Sequence, residues 1–233
     1  SMGLINFFRK KKLKKTLRFL FLPETIGSIA YLKNNFNYLK KNIIGGFNLS
    51  CIGDEKQHSC ILSKYSDSPS DYALIKAYKK LKIKKYKTYS FLKRGSDERQ
   101  YNSPFINLGI TSVFRSKYGT YPEYHTSKDD FKLVTLKGIE GGYRVVKESI
   151  NFLLNDVFPL SKIICEPNLG KRNLYPLLSI KNNKDAIKSR ALLDFLQYSD
   201  GKNSLDKISN IIKLDKAKTI KIYNLLKLNK LIH

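Results

Sequence analysis

The chain has 233 residues, of which 42% are hydrophobic and 12% aromatic. This is enough for one sizeable core and a small second domain, and it excludes a disordered protein. Lys and Arg number 44 against 19 Asp and Glu, which leaves a net charge of +25. That excess favours nucleic acid, acidic polysaccharide or an anionic membrane surface as a partner. The abundance of Lys, Asn and Ile is also expected from A/T-rich coding, so charge alone assigns no function.

Cysteine usage and hydropathy indicate a cytoplasmic protein. Cys51, Cys60 and Cys165 have no CxxC spacing, so neither a cysteine zinc site nor a disulfide framework is indicated, and a reducing cytoplasm is expected. Apolar runs such as 19–22 are far shorter than the roughly 18 residues of a membrane helix. The basic run near the N-terminus follows the apolar residues, which reverses the order of a secretory signal.

Strand and helix patterns alternate through the first part of the chain. Residues 2–13 have an incomplete helical pattern that ends among six basic residues within 9–15. Apolar runs bounded by turn residues predict strands, and apolar residues at helical spacing predict helices. Strands are predicted at 18–22, 43–52, 60–65, 87–92 and 109–114, and helices at 25–39, 69–82 (with Ser70 and Asp71 as caps) and 138–157. This alternation predicts an α/β fold with a mostly parallel sheet flanked by helices.

The composition changes after Pro159. Residues 166–183 are predicted to form a linker, because this region is rich in turn residues and has no periodicity. Helical patterns follow at 185–198, 204–212 and 215–229, with a short apolar end at 230–233. Such a series predicts a small winged helix-turn-helix domain. The predicted organisation is an α/β domain over 1–165, the linker, and a winged-helix domain over 184–233.

Glu24 is the first candidate for chemistry. It follows the predicted strand 18–22 in the segment FLPETIGS, at the start of the next helix. Ligands of open α/β sheets bind at the carboxyl ends of the strands. A carboxylate there can take a proton from a metal-bound water and pass it to a leaving amine. Interaction with the helix dipole is the ordinary alternative.

His125 is the second candidate and lies in the predicted loop 118–130, YGTYPEYHTSKDD. Neutral imidazole is a good zinc ligand, and its other ring nitrogen needs a carboxylate or carbonyl partner. A solvated loop histidine is the alternative, and His58 and His233 lack such polar surroundings. The nearby carboxylates are Glu123, Asp129 and Asp130.

The third candidate is the charged segment 94–105, RGSDERQYNSPF. Asp97 and Glu98 could orient a metal ligand, while Arg94 or Arg99 could bind a substrate carboxylate through a bidentate contact. A solvated loop with internal ion pairs is an equal alternative.

Taken in order, these segments resemble the co-catalytic zinc aminopeptidases. PETIGS resembles their AEExGxxGS element, FNLSCIGD their NLDMIG strand, GSDERQY their SDHxxF loop and EYHTSKDD their YHTxxD loop. Longer segments, including RFLFLPETIGSIAYL and CEPNLGKRNLYP, look like the bacterial aminopeptidase-like family found beside surface-polysaccharide genes. Members of that family carry a C-terminal winged helix. The resemblance covers about residues 2–233 and implies a zinc aminopeptidase-like fold.

The resemblance also implies roles for individual residues. Glu24 falls at the general-base position and His125 at the C-terminal metal-binding histidine. Thr25 and Ser50 replace two metal-binding carboxylates, and Asp54 is the expected substitute ligand. Residues expected to support the metal site or bind substrate are Arg94, Asp97, Glu98, Glu123, Tyr124 and Asp129.

The upstream His and Asp ligands of those enzymes would precede Met2, so the sequence resembles the C-terminal portion of a longer protein. Zinc takes three or four protein ligands, and this chain alone is expected to hold one ion weakly. If another chain supplies the missing ligands, the resemblance implies that a zinc-bound hydroxide attacks a peptide or amide carbonyl. Glu24 would then carry the water proton to the amine.

The predicted winged-helix domain is basic, since residues 202–233 carry eight lysines and two aspartates, a net charge of +6. Lys218 and Lys221 share one stripe of the last helix, whereas Leu214 and Leu225 are expected to face inward. Asn224 is the residue best placed for base contact. Packing of the module on the first domain or on a partner is the preferred alternative to nucleic-acid binding.

Two functions of different classes remain. The first is a cytoplasmic zinc-dependent aminopeptidase or amidohydrolase, acting on peptide or amide bonds and linked by resemblance to surface polysaccharide biosynthesis. The second is a metal-free peptidase-like scaffold whose winged helix binds nucleic acid or protein. Metal content distinguishes them.

Overall fold

The computed structural model describes residues 1–175 and 188–233. Packing divides the chain into Ser1–Asn155 and Asp156–His233, here called unit 1 and unit 2. This division precedes the predicted boundary at residue 165, and Leu169 of the predicted linker 166–183 belongs to the core of unit 2. The rest of that linker, from residue 176, and the first three residues of the helix predicted at 185–198 lie outside the described residues.

The sheet of unit 1 is mostly parallel, as predicted. Its four described strands lie in the order β1-β4-β2-β3. The β1–β4 and β2–β3 pairs are parallel, whereas the central β2–β4 pair is antiparallel. All four lie within predicted segments, except that β2 begins one residue early. The strands are β1 (Gly46–Leu49), β2 (Ser59–Ile61), β3 (Lys87–Tyr89) and β4 (Ile110–Phe114).

Helices flank this sheet on both faces. Val113 and Ile110 lie on opposite faces of β4, because side chains alternate along a strand. Val113 belongs to the main core cluster with α1, α3 and α5, and Ile110 to a smaller cluster with α2. α4 contacts both α2 and β4. The helices are α1 (Met2–Phe8), α2 (Ile26–Asn42), α3 (Pro69–Lys80), α4 (Glu98–Tyr101) and α5 (Leu136–Asn155).

The predicted strand at 18–22 is wrong. Arg18–Leu22 belongs to no strand and pairs with none of the described strands. Leu17 and Phe19 nevertheless pack against the main core cluster, so the apolar pattern is used for burial. The segment has no neighbouring strand among the described residues. A strand is defined by hydrogen bonds to a neighbouring strand, and a local sequence pattern does not show whether such a neighbour is present.

The start of α3 differs in detail from the prediction. Ser68, not Ser70, is the N-cap, and it forms a capping box with Asp71. The Asp71 carboxylate also accepts hydrogen bonds from Ser63 and Thr111. Ser70 instead accepts a hydrogen bond from the backbone N–H of Gly46, at 2.8 Å. Asp71 is therefore the predicted cap residue that the structure retains.

The carboxyl ends of β1 and β4 lie together, because the two strands are parallel and in register from Gly46↔Ile110 to Leu49↔Val113. The turn after β1 is held against the start of α5. A Cβ added at Gly138 would lie 1.9 Å from the Gly53 carbonyl oxygen, so only glycine permits this approach. This close packing fixes the path of the chain that leaves β1.

Unit 2 has the helix-turn-helix arrangement expected from the sequence. Two isolated antiparallel β-bridges, Leu160–Asp200 and Ser161–Ile232, are present in addition to the helices. Ser204 and Asp215 cap α7 and α8 through their side chains. None of the helices in the described parts of the chain is long and apolar enough to cross a bilayer. The helices are α6 (Ser189–Gln197), α7 (Leu205–Ile211) and α8 (Lys216–Leu228).

Candidate functional site

The polar residues of unit 1 concentrate at the edge where β1 and β4 end, here called the carboxyl edge. Ser50, Cys51 and Asp54 follow β1, and Arg115–Tyr118 follow β4. His58 lies at the same edge, because β2 runs antiparallel to β4 and its first residue pairs with Phe114. The sheet topology thus gathers side chains that are far apart in the sequence.

Glu98 is completely buried at this edge and is held by five hydrogen bonds. Its Oε1 accepts from the backbone N–H groups of Gly95 (2.8 Å) and Ser96 (3.1 Å) and from the Tyr118 hydroxyl (2.7 Å). Its Oε2 accepts from Asn48 and Ser112, both at 3.0 Å.

Burial by itself would raise the pKa of Glu98, but the bonds from Tyr118 and the backbone outweigh it, so the pKa lies below its ordinary value. All of these donors favour the ionised carboxylate. Glu98 therefore ties β1, β4 and the loop before α4 together, and its oxygens are not open to a substrate.

Asp54 is also buried and hydrogen-bonded. One carboxylate oxygen accepts from the Lys56 N–H and the Ser116 hydroxyl, both at 2.8 Å, and the other accepts from the Ser116 N–H at 2.7 Å. A metal ion at Asp54 would have to displace these donors. Asp54 fixes the chain after β4 to the turn after β1.

His58 contacts Arg115 through its Nε2. Burial lowers the pKa of His58 to about 4, and the Arg115 charge acts in the same direction, with only partial opposition from Asp54. The ring is therefore neutral at pH 7. Arg115 also donates to the backbone oxygen of Asp54 at 2.7 Å. His58, which had no distinguishing context in the sequence, belongs to the frame of the carboxyl edge.

The loop after β4 contains several aromatic side chains that pack against one another. Burial raises the pKa of Tyr121, and the neighbouring Cys51 thiol acts in the same direction. The Tyr121 and Tyr124 rings pack edge to face with centroids 5.7 Å apart. His125 stacks on Tyr124 with a centroid distance of 4.0 Å. The His125 ring is exposed, and its backbone has a positive φ of 59°, an uncommon conformation that is enriched at functional sites.

Glu24 is exposed and lies close to this loop. Burial, the Cys51 thiol and the Glu24 carboxylate raise the pKa of Tyr124, which puts Glu24 within electrostatic reach of that phenol. Tyr124 stacks on His125, so both principal candidates lie in the part of unit 1 around this ring.

The turn that carries Glu24 is fixed by the charged segment at the start of α4. Asp97 accepts from the Thr25 N–H, and Arg99 donates to the Thr25 hydroxyl, both at 2.8 Å. Thr25 has a positive φ of 63°, so these bonds hold an uncommon backbone geometry. Arg94 is exposed and contacts Phe91, through its carbonyl oxygen at 3.4 Å and its ring centroid at 5.2 Å.

The carboxylates near His125 in sequence point elsewhere or are exposed. Glu123 forms an ion pair with Lys56 at 2.7 Å, and that contact lowers its pKa. Asp129 and Asp130 are exposed, and Asp129 influences Tyr121 electrostatically. Among the described residues, the ring contact of His125 is its stack on Tyr124, so Tyr124 orients the imidazole.

The side chains present do not fit a zinc site by themselves. Over residues 1–175 and 188–233, no three His, Cys, Asp or Glu side chains are grouped as metal ligands. The oxygens of Glu98 and Asp54 are occupied by protein donors, and Thr25 and Ser50 carry hydroxyls. Of the positions that the resemblance implied as metal ligands, His125 is the exposed donor that remains, whereas zinc needs three or four protein ligands.

Lys117 was not identified as a candidate residue from the sequence. It is buried, its Nζ lies 3.7 Å from the Tyr118 ring centroid, and it donates to the Tyr118 carbonyl at 3.1 Å. Burial lowers its pKa, and the Glu98 charge opposes this. Because the sequence contains many lysines, the residue type alone does not indicate a role for Lys117. Its position after a buried strand was the signal that could have identified it.

Comparisons with known proteins agree with this organisation. Residues 4–156 match the model of DUF4910, a domain of unknown function, and residues 158–233 match a winged helix-turn-helix model. Over 210 residues the chain is 37% identical to a protein of Clostridium acetobutylicum described as a predicted polysaccharide biosynthesis protein with an aminopeptidase-like domain. That match covers 88% of this chain and 48% of the relative.

Two solved structures are also similar. The crystal structure of a predicted peptidase from Clostridium acetobutylicum gives a TM-score of 0.64 at 33% identity, and covers 100% of this chain and 52% of that chain. A zinc aminopeptidase from Bacillus subtilis gives a TM-score of 0.45 at 16% identity, over 54% of this chain and 32% of that chain. The chain spans about half the length of its Clostridium relatives. It belongs to the DUF4910 family, with an aminopeptidase-like α/β fold in unit 1 and a winged helix-turn-helix domain in unit 2.

Proposed function

We propose that unit 1 forms part of a hydrolase of peptide or amide bonds, with the reaction at the carboxyl edge beside Glu24 and His125. The observation that supports the proposal is the environment of Tyr124, whose ring stacks on His125 with centroids 4.0 Å apart and whose phenol is influenced electrostatically by Glu24. An exposed carboxylate and an exposed imidazole beside one ring can act on the same bound group.

In this proposal each residue has a separate task. Glu24 accepts the proton of the attacking water and returns it to the amine that leaves. Tyr124 fixes the plane of the His125 ring. Asp97 and Arg99 hold the turn that carries Glu24, and buried Glu98 keeps the carboxyl edge rigid. Rigid support of this kind places reacting groups within a few tenths of an ångström.

Zinc-dependent activity requires donors beyond those that this chain groups together. His125 is the donor that we propose from unit 1, and Asp54 is left out because its oxygens are bonded to Lys56 and Ser116. We propose that another polypeptide segment brings the remaining ligands. The chain alone then retains zinc weakly.

The relative's name supports a substrate class. We propose that the bond cleaved belongs to a peptide or amino-sugar intermediate of surface polysaccharide assembly, since the Clostridium relative is described by polysaccharide biosynthesis and an aminopeptidase-like domain. The three cysteines are free thiols, which supports a reducing, cytoplasmic setting.

Zinc retention by single histidine variants tests the proposal. The wild-type chain, His125→Ala and His233→Ala are stripped with chelator, and zinc affinity is measured by competition with a chromophoric chelator. We expect weak binding by the wild type, and about a tenfold or greater loss in His125→Ala, because the principal donor is removed. His233→Ala removes an exposed histidine of unit 2 and should bind zinc as the wild type does.

Two results would contradict this proposal. One is equal zinc affinity in His125→Ala and the wild type. The other comes from co-expression with the half of the Clostridium relative that this chain does not cover. A complex that forms but neither binds more zinc nor hydrolyses amides would contradict the proposal. A complex that binds zinc but loses peptide hydrolysis in Glu24→Gln would support the assigned roles.

The exposed face of α8 favours a second function, in which unit 2 binds nucleic acid. Lys221 and Asn224 are both exposed and lie one turn apart, so both can reach the same duplex. We expect Lys221→Glu to weaken binding to duplex DNA and reduce its salt dependence, whereas Lys171→Glu, an exposed charge reversal outside α8, changes both less. Equal effects of the two variants would indicate binding through net charge alone.

A further inference from the structure

Lys117 is a buried cation at the carboxyl edge of unit 1. The residue is only 7% exposed, and lysines are rarely buried to this extent unless they are paired. Among the described residues, no Asp or Glu oxygen forms an ion pair with its Nζ. Burial of an unpaired charge costs free energy. The ammonium group is therefore suited to bind an anion.

The protein groups around the ammonium group satisfy it only in part. Nζ donates to the Tyr118 carbonyl at 3.1 Å and lies 3.7 Å from the Tyr118 ring centroid and 5.7 Å from that of Tyr89. An ammonium group has three donors, and aromatic faces attract a cation without replacing an oxygen acceptor. Glu98 attracts the charge from a distance, but its own oxygens are held by other donors. Lys117 thus retains donors for a further oxygen acceptor.

The backbone on both sides of Lys117 is fixed by hydrogen bonds. The N–H and the hydroxyl of Ser116 donate to buried Asp54, at 2.7 and 2.8 Å. The Lys117 carbonyl accepts from the N–H and the hydroxyl of Thr120, at 3.2 and 2.7 Å. A cation that is already held in place binds an anion without the entropy cost of ordering a flexible side chain. Lys117 therefore has the rigid support expected of a binding group.

Lys117 belongs to the same loop as the residues proposed for hydrolysis. Its Nζ lies over the Tyr118 ring, whose centroid is 6.4 Å from that of Tyr124, and the Tyr124 ring stacks on His125 at 4.0 Å. One residue of an extended peptide spans about 3.3–3.6 Å. A negatively charged group within a few residues of a bond cleaved beside His125 can therefore reach Lys117.

We propose that Lys117 is a specificity residue that binds a carboxylate of the substrate, a few residues away from the bond that is cleaved. A single ammonium matches the single charge of a carboxylate, whereas a phosphate is usually bound by several donors together. Two sources have this chemistry, the terminal carboxylate of a short peptide and the carboxylate of a sugar acid. The inference rests on the proposed function for the place of the reaction, but its test requires neither zinc nor hydrolysis.

Acid and amide forms of the same ligand test the proposal on the full chain. Titrations of the isotope-labelled chain followed by NMR give dissociation constants for tri-alanine and its amide, and for glucuronate and its amide. At an ionic strength of about 0.15 M, we expect one acid to bind at least about tenfold more tightly than its amide. The largest shifts are expected at the Tyr118 and Thr120 amides. The ligand pair that shows the difference distinguishes a peptide from a sugar acid.

Matched lysine variants separate a site at Lys117 from general attraction to the basic chain. Lys117→Met keeps the apolar stem without the ammonium group, and should bind the acid and its amide equally. Lys93→Met removes the charge of an exposed lysine that influences Lys117 electrostatically, and should keep the wild-type preference for the acid. General attraction to the net charge of +25 would weaken equally in both variants. Lys117→Arg keeps the charge and should retain the preference.

Three results would overturn the proposal: equal binding of acid and amide by the wild type, equal acid preference in Lys117→Met and Lys93→Met, and tighter binding of a glucose phosphate than of glucuronate. Urea midpoints show whether the variants fold. If Lys117→Met does not fold, the wild-type preference, the location of the shifts and Lys117→Arg decide.

The result also remains distinct from a failure of the proposed function. Acid preference that depends on Lys117, in a zinc-loaded complex without hydrolysis, would contradict the proposed function alone. Hydrolysis without any acid preference would contradict this inference alone.

Discussion

Two loops meet at the carboxyl edge of unit 1 and differ in how they are held. In the loop that ends at the first residue of α4, that residue, Glu98, is fully buried and accepts five hydrogen bonds from four separate parts of the chain. In the loop after β4, His125 is exposed, and the contact of its ring is the stack on Tyr124. The first loop is a structural joint, whereas the second presents groups to solvent. A charged motif residue therefore reveals its role only through its partners.

Replacement of Glu98 is the strongest test of this difference. We expect Glu98→Ala to lower the free energy of unfolding by about 3–5 kcal/mol, since it leaves buried donors such as Tyr118 and Asn48 without their acceptor. Urea denaturation measures the effect. Glu24→Ala, an exposed carboxylate at the same edge, should change stability by less than about 0.5 kcal/mol. Similar values for the two variants would show that the loops do not differ as described.

Asp54 allows the same question to be asked of a predicted metal ligand. We expect Asp54→Ala to destabilise unit 1 by about 2–3 kcal/mol, because three hydrogen bonds to Lys56 and Ser116 are lost. Thermal unfolding and zinc competition are measured on the same samples, with Asp129→Ala as the exposed control. Unchanged stability with a loss of zinc would reverse the assignment and make Asp54 a ligand.

The sequence predicts those features that depend on local patterns. Apolar spacing predicts α3 and α5 within a few residues, because a helix closes its own hydrogen bonds. The burial of Glu98 was not predictable, since its partners Asn48, Ser112 and Tyr118 lie on three other segments. His58 gave no signal for the same reason, because the antiparallel β2–β4 pairing brings it to Arg115.

The strand predicted at 18–22 shows the limit of a local pattern in the opposite direction. Its apolar residues are used by the core, but its hydrogen bonds require a neighbour that no part of the described chain supplies. The segment has strand propensity and burial without strand structure. Likewise, the motif residues Glu24 and His125 lie in the same part of unit 1, but the described residues contain no complete ligand set.

Tyr118 connects the two loops, so its hydroxyl tests how firmly they are coupled. It donates to Glu98 at 2.7 Å, while its ring lies 6.4 Å from that of Tyr124. We expect Tyr118→Phe to cost about 1–2 kcal/mol in urea denaturation, since one bond to a charged acceptor is lost and the ring remains. Tyr65→Phe, an exposed tyrosine, is the control. An effect equal to that of Glu98→Ala would mean that this one bond carries the joint.

His58 gives the carboxyl edge a pH dependence. Its pKa is about 4 in the folded protein against about 6.5 for an unfolded chain. The unfolded chain therefore binds the proton first, and stability falls as pH decreases from about 6.5 to 4. Allowing for partial exposure of the ring, we expect a loss of about 1 kcal/mol. His58→Gln should flatten this part of the urea-stability profile relative to the wild type. Identical profiles for the variant and the wild type would contradict the expectation.

Tyr124 provides the smallest effect on stability and the most selective test of the exposed loop. Its ring faces solvent in part, so Tyr124→Ala should change the free energy of unfolding by less than about 0.5 kcal/mol. It should weaken zinc binding nonetheless, because the His125 ring loses the surface on which it stacks at an interplanar angle of 19°. Tyr124→Phe keeps the stack and should bind zinc as the wild type does. A large loss of stability in Tyr124→Ala would show that this loop, like Glu98, holds the fold together. Loss of zinc binding with unchanged stability would show that the loop orients a ligand without supporting the fold.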